Sequence, residues 1–256
     1  MKKILITGGN GRVGKDLCKY LSRDYEIIVL EKGNNIDDMK FNRSDAIIHL
    51  AALTPRPDKR YSLKEYIKTN VELTKSVLNY AMRNKKKIKV TILPSSWSWS
   101  FKIGDYQYSK LIQEKIADTY IKNGVNIVKL ELPEVVTDDN KWILTRIIDK
   151  LQLGHNVTVD DIEITTITTQ QIAETCKRLI DDCTEEGLKM FKDSLTTVNI
   201  YEETKKETER RFPDRISLLM KGIRKIRNIK VNKDETKEAI AFPDFEFDDR
   251  YRDDNR

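Results

Sequence analysis

The sequence predicts an α/β fold in which helices cover both faces of a parallel β-sheet. Two patterns in the first half of the chain lead to this prediction. Short apolar runs of strand length alternate with amphipathic helical segments, as in repeated strand–helix–strand units. Several of the runs, such as Ile4–Ile6 and Ile27–Leu30, are apolar at consecutive positions, which indicates strands that are buried on both faces. We therefore expect a doubly wound parallel sheet followed by a reduced C-terminal lobe.

Five strands and three helices account for the first half of the chain. The strands are predicted at Ile4–Ile6, Ile27–Leu30, Ala46–Leu50, Val90–Leu93 and Ile127–Leu132. The helices follow from apolar residues that recur three or four positions apart. Their apolar faces begin at Val13, Leu63 and Leu111.

The second half of the chain is less regular. Its segments are predicted as a helix around Trp142–Leu151, an extended stretch at Val157–Thr169, a helix at Gln170–Ile180, a strand at Thr196–Ile200 and a helix at Ile216–Ile226. The last helix runs into a basic segment, residues 221–233, which we interpret as a solvated face. The tail, residues 242–256, is rich in Asp and Arg and is expected to be extended.

Composition excludes several classes of protein. The 256 residues are enough to bury a core without disulfides or a structural metal. The formal net charge of +6 is modest and dispersed, so it permits a nucleic-acid partner but does not demand one, and such a partner is not favoured. The longest apolar stretch, Ala46–Leu53, is interrupted by His49 and is too short to span a bilayer. The cysteines form neither a disulfide framework nor a zinc pattern, which indicates a reducing, cytoplasmic location; they are Cys18, Cys176 and Cys183.

A glycine-rich loop lies between the first strand and the first helix. Glycines at this place allow a tight turn, close approach of the backbone to a pyrophosphate, and close packing of helix on strand. The helix start then offers free N–H groups to the anion. The candidate cofactor-binding residues of this loop are Gly8, Asn10, Gly11, Arg12, Val13 and Gly14. The loop predicts a Rossmann-type dinucleotide-binding core.

Two other interpretations of the same loop were weighed. Gly9, Gly14 and Lys15 fit the phosphate loop that binds nucleoside triphosphates. Asp16, however, replaces the Ser or Thr whose hydroxyl would hold Mg²⁺, and its charge would repel a triphosphate. A merely structural turn is the remaining alternative.

The dinucleotide interpretation predicts how the chain is divided into domains. Residues 1–155 are expected to form the Rossmann core. Residues 156–241 are expected to form a smaller C-terminal lobe on the substrate side, interleaved with that core.

Glu31 ends the second strand and predicts the choice of cofactor. A carboxylate at this position accepts hydrogen bonds from the adenosine ribose and repels a 2′-phosphate, so NAD is favoured over NADP. The neighbouring cations Lys32 and Arg12 weaken this preference. A solvated acid at a strand end is the alternative interpretation of Glu31.

Ser96, Tyr106 and Lys110 are the candidate catalytic residues. Tyr106 and Lys110 are four positions apart, so they share one face of a helix. The ammonium is expected to lower the pKa of the phenol, which could then exchange a proton with a substrate hydroxyl. Ser96 follows the fourth strand, at the edge of a parallel sheet where ligands bind. A second Tyr–Lys pair, Tyr201 and Lys205, lacks such a serine.

These motifs, in this order, resemble the extended short-chain dehydrogenase/reductases, the family of NAD-dependent sugar epimerases and dehydratases. The resemblance covers roughly residues 1–200. The segments that carry it are Thr7–Gly14, Asp45–Ala52, Asn70–Thr74, Ser95–Ser96, Tyr106 with Lys110, and Val198–Ile200.

The resemblance implies an enzyme that uses NAD to oxidise or epimerise a sugar hydroxyl, most plausibly of a nucleotide-linked sugar. It also implies that the cofactor lies beside Leu50, Ala51, Ala52 and Asn70, and that Lys110 holds the nicotinamide ribose. A homodimer is implied as well, formed through the helices at Leu63–Met82 and Tyr106–Lys122.

The chain departs from the family pattern at several positions. Trp97-Ser98 stands where 4,6-dehydratases carry an Asp-Glu pair, so dehydration by such a pair is not expected. Glu131 replaces an arginine in the segment Leu130–Glu134 at the end of the fifth strand, and only ten positions separate Ser96 from Tyr106. The alternative function is therefore a non-catalytic NAD-binding sensor or scaffold. Trp97, Trp99 and Phe101 are either a pocket wall or core aromatics.

Overall fold

A computed structural model describes residues 1–37, 44–56, 59–96, 104–139, 143–181, 184–213 and 223–226 of the chain. In chain order, the elements of its first half are β1 (Lys3–Thr7), α1 (Arg12–Leu21), β2 (Glu26–Leu30), β3 (Ala46–His49), α2 (Leu63–Tyr66), a π-helix (Ile67–Val71), α3 (Glu72–Arg83), β4 (Val90–Ser96), α4 (Asp105–Lys122) and β5 (Ile127–Leu132). Those of the second half are β6 (Glu134–Val136), α5 (Ile143–Gln152), β7 (Val157–Asp160), β8 (Glu163–Thr168), α6 (Thr169–Asp181), α7 (Thr184–Asp193), β9 (Thr196–Asn199), α8 (Ile200–Arg211) and β10 (Ile223–Ile226).

The central sheet has five parallel strands in the order β2-β1-β3-β4-β5. All five predicted strands are found, and the predicted doubly wound α/β fold is confirmed. Because the strands are parallel, their C-terminal ends lie at one edge, so the loops after β1, β2, β3 and β4 gather there.

Helices cover both faces of this sheet. Alternate side chains of β1 point to opposite faces: Ile4 and Ile6 join a core with α1 and α6, whereas Leu5 joins a core with α3 and α4. The predicted helix from Leu63 forms as α2, the π-helix and α3 in direct succession.

Helix α1 is also tied to the second half of the chain by polar contacts. The Asp16 carboxylate accepts hydrogen bonds from the Asp138 backbone N–H at 2.8 Å and from the Thr169 hydroxyl at 2.9 Å. The Tyr20 hydroxyl donates to Asp138 at 2.6 Å. Asp16 therefore fixes α1 against the start of α6.

The second half forms a smaller layer of short strands and helices. Strands β6, β8 and β9 make one sheet, and β7 and β10 make another. Helices α5 and α8 share a small apolar core with β7, β8 and β9. The predicted extended stretch at Val157–Thr169 is therefore two strands in different sheets. Helices α7 and α8 were not predicted.

The prediction of a helix at Ile216–Ile226 is wrong for its last four residues. Residues 223–226 form strand β10, which pairs in parallel with β7. The helical pattern could not reveal this, because the pairing partner lies far earlier in the chain. Residues 227–233 of the basic segment, the tail at 242–256, and Cys183 lie outside the described residues. Within the described ranges, no helix is both long and apolar enough to cross a membrane.

Candidate active site

The glycine loop is packed too tightly for side chains at two of its positions. Gly8 has a positive φ of 72°, and a Cβ added to it would lie 2.7 Å from the Ala51 nitrogen. A Cβ on Gly14 would lie 2.1 Å from the Gly8 carbonyl oxygen, which also accepts the Gly11 N–H at 2.9 Å. The loop thus turns sharply and brings the start of α1 close to the strand ends, as a dinucleotide requires.

The start of α1 offers an uncapped end to an anion. Gly11 is its N-cap residue and makes no side-chain cap, and the first turn contains no acidic residue. Asn10 and Arg12 are exposed beside it, while Val13 packs against the core. The free N–H groups and the positive end of the helix dipole suit a pyrophosphate.

The loops after β2 and β3 flank the glycine loop. Thr7 pairs with Leu30, so Glu31, which is exposed, follows the neighbouring strand end. The Leu50 N–H donates to the Thr7 carbonyl, and the Ala51 N–H donates to the Thr7 hydroxyl, both at 3.1 Å. The predicted residues Glu31, Leu50, Ala51 and Ala52 therefore lie along one sheet edge with the glycines.

His49 is buried beneath this edge. Its Nδ1 lies 2.7 Å from the Thr7 hydroxyl, and its Nε2 lies 2.8 Å from the Thr74 hydroxyl. Burial, aided by the charge of Lys110, lowers the pKa of His49 to about 3, so its ring is neutral. One ring nitrogen donates and the other accepts, which joins β1 to α3 through two hydroxyls.

Asn70 lies in the π-helix and is fully buried. Its side-chain oxygen accepts the Leu53 N–H at 2.6 Å, and its amide donates to the Leu53 carbonyl and the Ser109 hydroxyl. The wide turn also leaves the Asn70 backbone carbonyl to accept from Gln113 at 3.1 Å. Asn70 therefore fixes the loop after β3 against α4.

Tyr106 lies in the first turn of α4, within hydrogen-bond reach of Ser96. Its ring centroid lies 5.7 Å from that of Tyr66. Burial raises the pKa of Tyr106 to about 12, although its hydrogen bond with Ser96 opposes the rise. The expectation that Lys110 lowers this pKa is therefore wrong: loss of solvent dominates, and the Lys110 ammonium is bonded to the Pro94 carbonyl instead.

Lys110 lies one turn further along α4 and is 6% exposed. Its ammonium donates to the Pro94 carbonyl oxygen at 3.0 Å. Burial lowers the pKa of Lys110 to about 8, while Glu114 opposes this effect. The ammonium is thus held at the end of β4, beside the serine that precedes the helix.

Three residues around the predicted set were missed from the sequence. Tyr66 packs against Tyr106, Gln113 binds the Asn70 carbonyl, and Glu114 accepts a hydrogen bond from Ser95. Glu114 could have been found by extending the four-residue spacing of Tyr106 and Lys110. Tyr66 could not, since its contact joins two helices. Trp97, Trp99 and Phe101 lie outside the described residues, and Tyr201 packs with α5 in the second half.

Comparisons with known proteins agree with this fold. Residues 4–100 match the model of the NAD dependent epimerase/dehydratase family. No curated protein matches the chain by sequence. The resemblance to NAD-dependent epimerases and dehydratases is confirmed by this match over residues 4–100, and several solved structures share the fold.

Three such structures are similar over most of their length. The enzyme WbmH of Bordetella bronchiseptica in complex with NAD+ has a TM-score of 0.67 at 17% identity, covering 93% of this chain and 91% of its own. UDP-N-acetylglucosamine 4-epimerase from Bacillus cereus has a TM-score of 0.61 at 18% identity, covering 93% and 92%. The dTDP-glucose 4,6-dehydratase DesIV from Streptomyces venezuelae, with NAD and TYD bound, has a TM-score of 0.64 at 15% identity, covering 90% and 86%.

Proposed function

We propose, from the epimerase/dehydratase match over residues 4–100, that the chain is an NAD-dependent oxidoreductase or epimerase acting on a sugar hydroxyl. The observation that carries the proposal is the placement of Ser96, Tyr106 and Lys110 at the sheet edge that also bears the glycine loop. A nucleotide-linked sugar is the proposed substrate, since the similar epimerase and dehydratase structures are of nucleotide-sugar enzymes by name.

The residues of this edge fit a dinucleotide. The uncapped start of α1 would bind the pyrophosphate, and Glu31 would bind the adenosine ribose. Leu50, Ala51, Ala52 and Asn70 would flank the cofactor, and Lys110 would hold the nicotinamide ribose. Bound NAD supplies the hydride acceptor, which no side chain of the protein can replace.

Tyr106 is proposed as the acid/base for the substrate oxygen. Because its pKa is raised to about 12, its phenol is protonated at neutral pH. It is therefore ready to donate a proton to a carbonyl oxygen as that carbonyl is reduced. In the opposite direction it must first lose its proton. Ser96, which shares a hydrogen bond with the phenol, would orient the substrate oxygen.

The alternative function is an NAD-binding sensor or scaffold without turnover. The raised pKa of Tyr106 favours it, since a phenol that is hard to ionise is a poor base. The two functions are separated by mass spectrometry of any small molecule retained by the purified protein, followed by assays of nucleotide sugars for NAD reduction and for epimerised product. Product formation supports the enzyme. Tight NAD binding with no product from any sugar supports the sensor.

The first testable prediction concerns the preference of the protein for NAD(H) over NADP(H). NAD(H) should bind at least about tenfold more tightly than NADP(H), because the Glu31 carboxylate would face a 2′-phosphate. Titration of tryptophan fluorescence with each cofactor measures this. The Glu31→Gln variant is the matched comparison, since it removes the negative charge and should bring the affinities for NAD(H) and NADP(H) closer together. Tighter binding of NADPH to the wild type would contradict the role given to Glu31.

We also propose a homodimer formed through the helices at Leu63–Met82 and Tyr106–Lys122. These helices pack against each other on one face of the sheet, and a second copy of the pair would complete a four-helix bundle. Light scattering at micromolar concentration should give twice the chain mass of 29.9 kDa. A mass of one chain under those conditions would count against the dimer.

A further inference from the structure

Three consecutive residues at the end of β4 each contact the same face of α4. Ser96 hydrogen-bonds with Tyr106, the Pro94 carbonyl accepts from Lys110 at 3.0 Å, and the Ser95 hydroxyl donates to the Glu114 carboxylate. The three residues of α4 are four positions apart, so they lie in one row along the helix. Tyr106 and Lys110 already have proposed roles, and Glu114 has none.

Glu114 is anchored in this row. Ser95, its hydrogen-bond partner, is 5% exposed, so one side of the carboxylate faces the protein interior. Residues four apart on a helix have their Cβ atoms about 5–6 Å from each other, which brings the carboxylate within electrostatic range of the Lys110 ammonium. The carboxylate cannot swing freely into solvent without losing the Ser95 hydroxyl.

We propose that Glu114 is a positioning residue that keeps Lys110 charged where the Pro94 carbonyl holds it, at the sheet edge. The value of this charge to a bound cofactor rests on the proposed function. The effect of Glu114 on Lys110 does not, because both residues belong to the folded chain itself.

Lys110 needs such support because of what surrounds it. His49, on β3, is neutral and supplies no anion, and Tyr66 and Tyr106 are phenols with raised pKa values. On β5, Glu131 is in register with Ser95, so it is another carboxylate near the row. Burial lowers the pKa of Lys110 to about 8, and Glu114 is the group that raises it.

The value of the Lys110 pKa decides whether this side chain is charged near neutral pH. Because burial brings the pKa of Lys110 down to about 8, close to neutral pH, a further fall would leave a larger share of the amines uncharged. A neutral amine would hold a ribose hydroxyl or support a developing phenolate less well than an ammonium.

The direct test follows the titration of Lys110 in the free protein. The chain is labelled with ¹³Cε-lysine, and the Lys110 signal is identified by its loss in Lys110→Arg. The chemical shift of this signal is then followed by NMR between pH 6 and 10, which gives the midpoint of the Lys110 titration. In Glu114→Gln the midpoint should fall by at least about 0.5 pH unit relative to the wild type. Glu114→Asp, which keeps the charge, should restore most of the shift.

Two variants serve as controls. Asp118→Asn removes a carboxylate one turn further along α4, where it pairs with Lys129 at 2.5 Å, and should leave the midpoint unchanged. Glu131→Gln removes the rival carboxylate and should move the midpoint less than Glu114→Gln does. Circular dichroism at each pH verifies that every variant is folded.

The outcomes separate this proposal from the proposed function. An unchanged or higher midpoint in folded Glu114→Gln, or a larger fall in Glu131→Gln, would overturn the role of Glu114. If the wild type fails to bind NAD, the proposed function is wrong, but the midpoints still decide the effect of Glu114. Where NAD binds, Glu114→Gln should weaken binding at least about threefold more at pH 8 than at pH 6.5. Equal weakening at both pH values would argue against a charge effect.

Discussion

Replacement of Tyr106 by phenylalanine should reduce turnover by about 10²–10⁴-fold, the usual cost of losing a general acid/base. The substitution removes the hydroxyl that hydrogen-bonds with Ser96, but it keeps the ring that packs on Tyr66. NAD affinity should therefore stay within about twofold of the wild type. Lys110→Ala should instead damage both turnover and cofactor binding. Steady-state rates on the identified substrate and fluorescence titrations measure the two effects.

Tyr201→Phe is the matched control for this experiment. Tyr201 also stands four residues before a lysine, but it lies on α8 with the small core of the second half. Its replacement should leave turnover unchanged. Full activity of Tyr106→Phe would refute the proposed mechanism.

Replacement of Gly14 by alanine should nearly abolish cofactor binding and destabilise the fold by at least about 2 kcal/mol. The new Cβ would lie 2.1 Å from the Gly8 carbonyl oxygen, so the backbone of the loop itself must move. That movement displaces the start of α1 from the strand ends, and the pyrophosphate loses its N–H donors. Urea unfolding and NAD titration together measure the change, and an NAD affinity loss above about 10²-fold is expected.

The Gly124→Ala variant separates the effect of backbone strain on stability from the effect of the glycine loop's geometry on NAD binding. Gly124 has a φ of 83°, but a Cβ added there meets nothing within 4 Å. The variant should lose about 1 kcal/mol of stability from backbone strain and keep its NAD affinity. If Gly14→Ala bound NAD as well as Gly124→Ala does, the glycine loop would not be the pyrophosphate site.

The first half of the fold could be predicted from the sequence because its strands are visible as short apolar runs. The run Ile4–Ile6 is apolar throughout, and Ala46–Leu50 is apolar except for His49; such runs fit buried parallel strands. The glycine loop and the Tyr106–Lys110 pair could be predicted because each depends on spacing within one segment. Strand β10 could not, since its pairing with β7 has no local signal.

The pKa values and polar contacts of the site residues could not be predicted from the sequence either. The spacing of Tyr106 and Lys110 indicated a shared helix face, but not that Lys110 would donate to the Pro94 carbonyl. Nor could it indicate that burial beside Tyr66, from another helix, would raise the pKa of Tyr106. Side-chain pKa values depend on neighbours that only the tertiary structure brings together.

The ties between α1 and α6 have a consequence for how the chain folds. Helix α1 is synthesised well before α6, yet its inner face shares a core with α6, and the Asp16–Thr169 hydrogen bond spans 153 residues. Until α6 has emerged from the ribosome, Leu17 and Leu21 lack part of their apolar cover. Contacts of such high sequence separation slow folding, because a large loop must close before they form. A nascent chain of this protein is therefore expected to depend on chaperones for longer than its simple β–α beginning suggests.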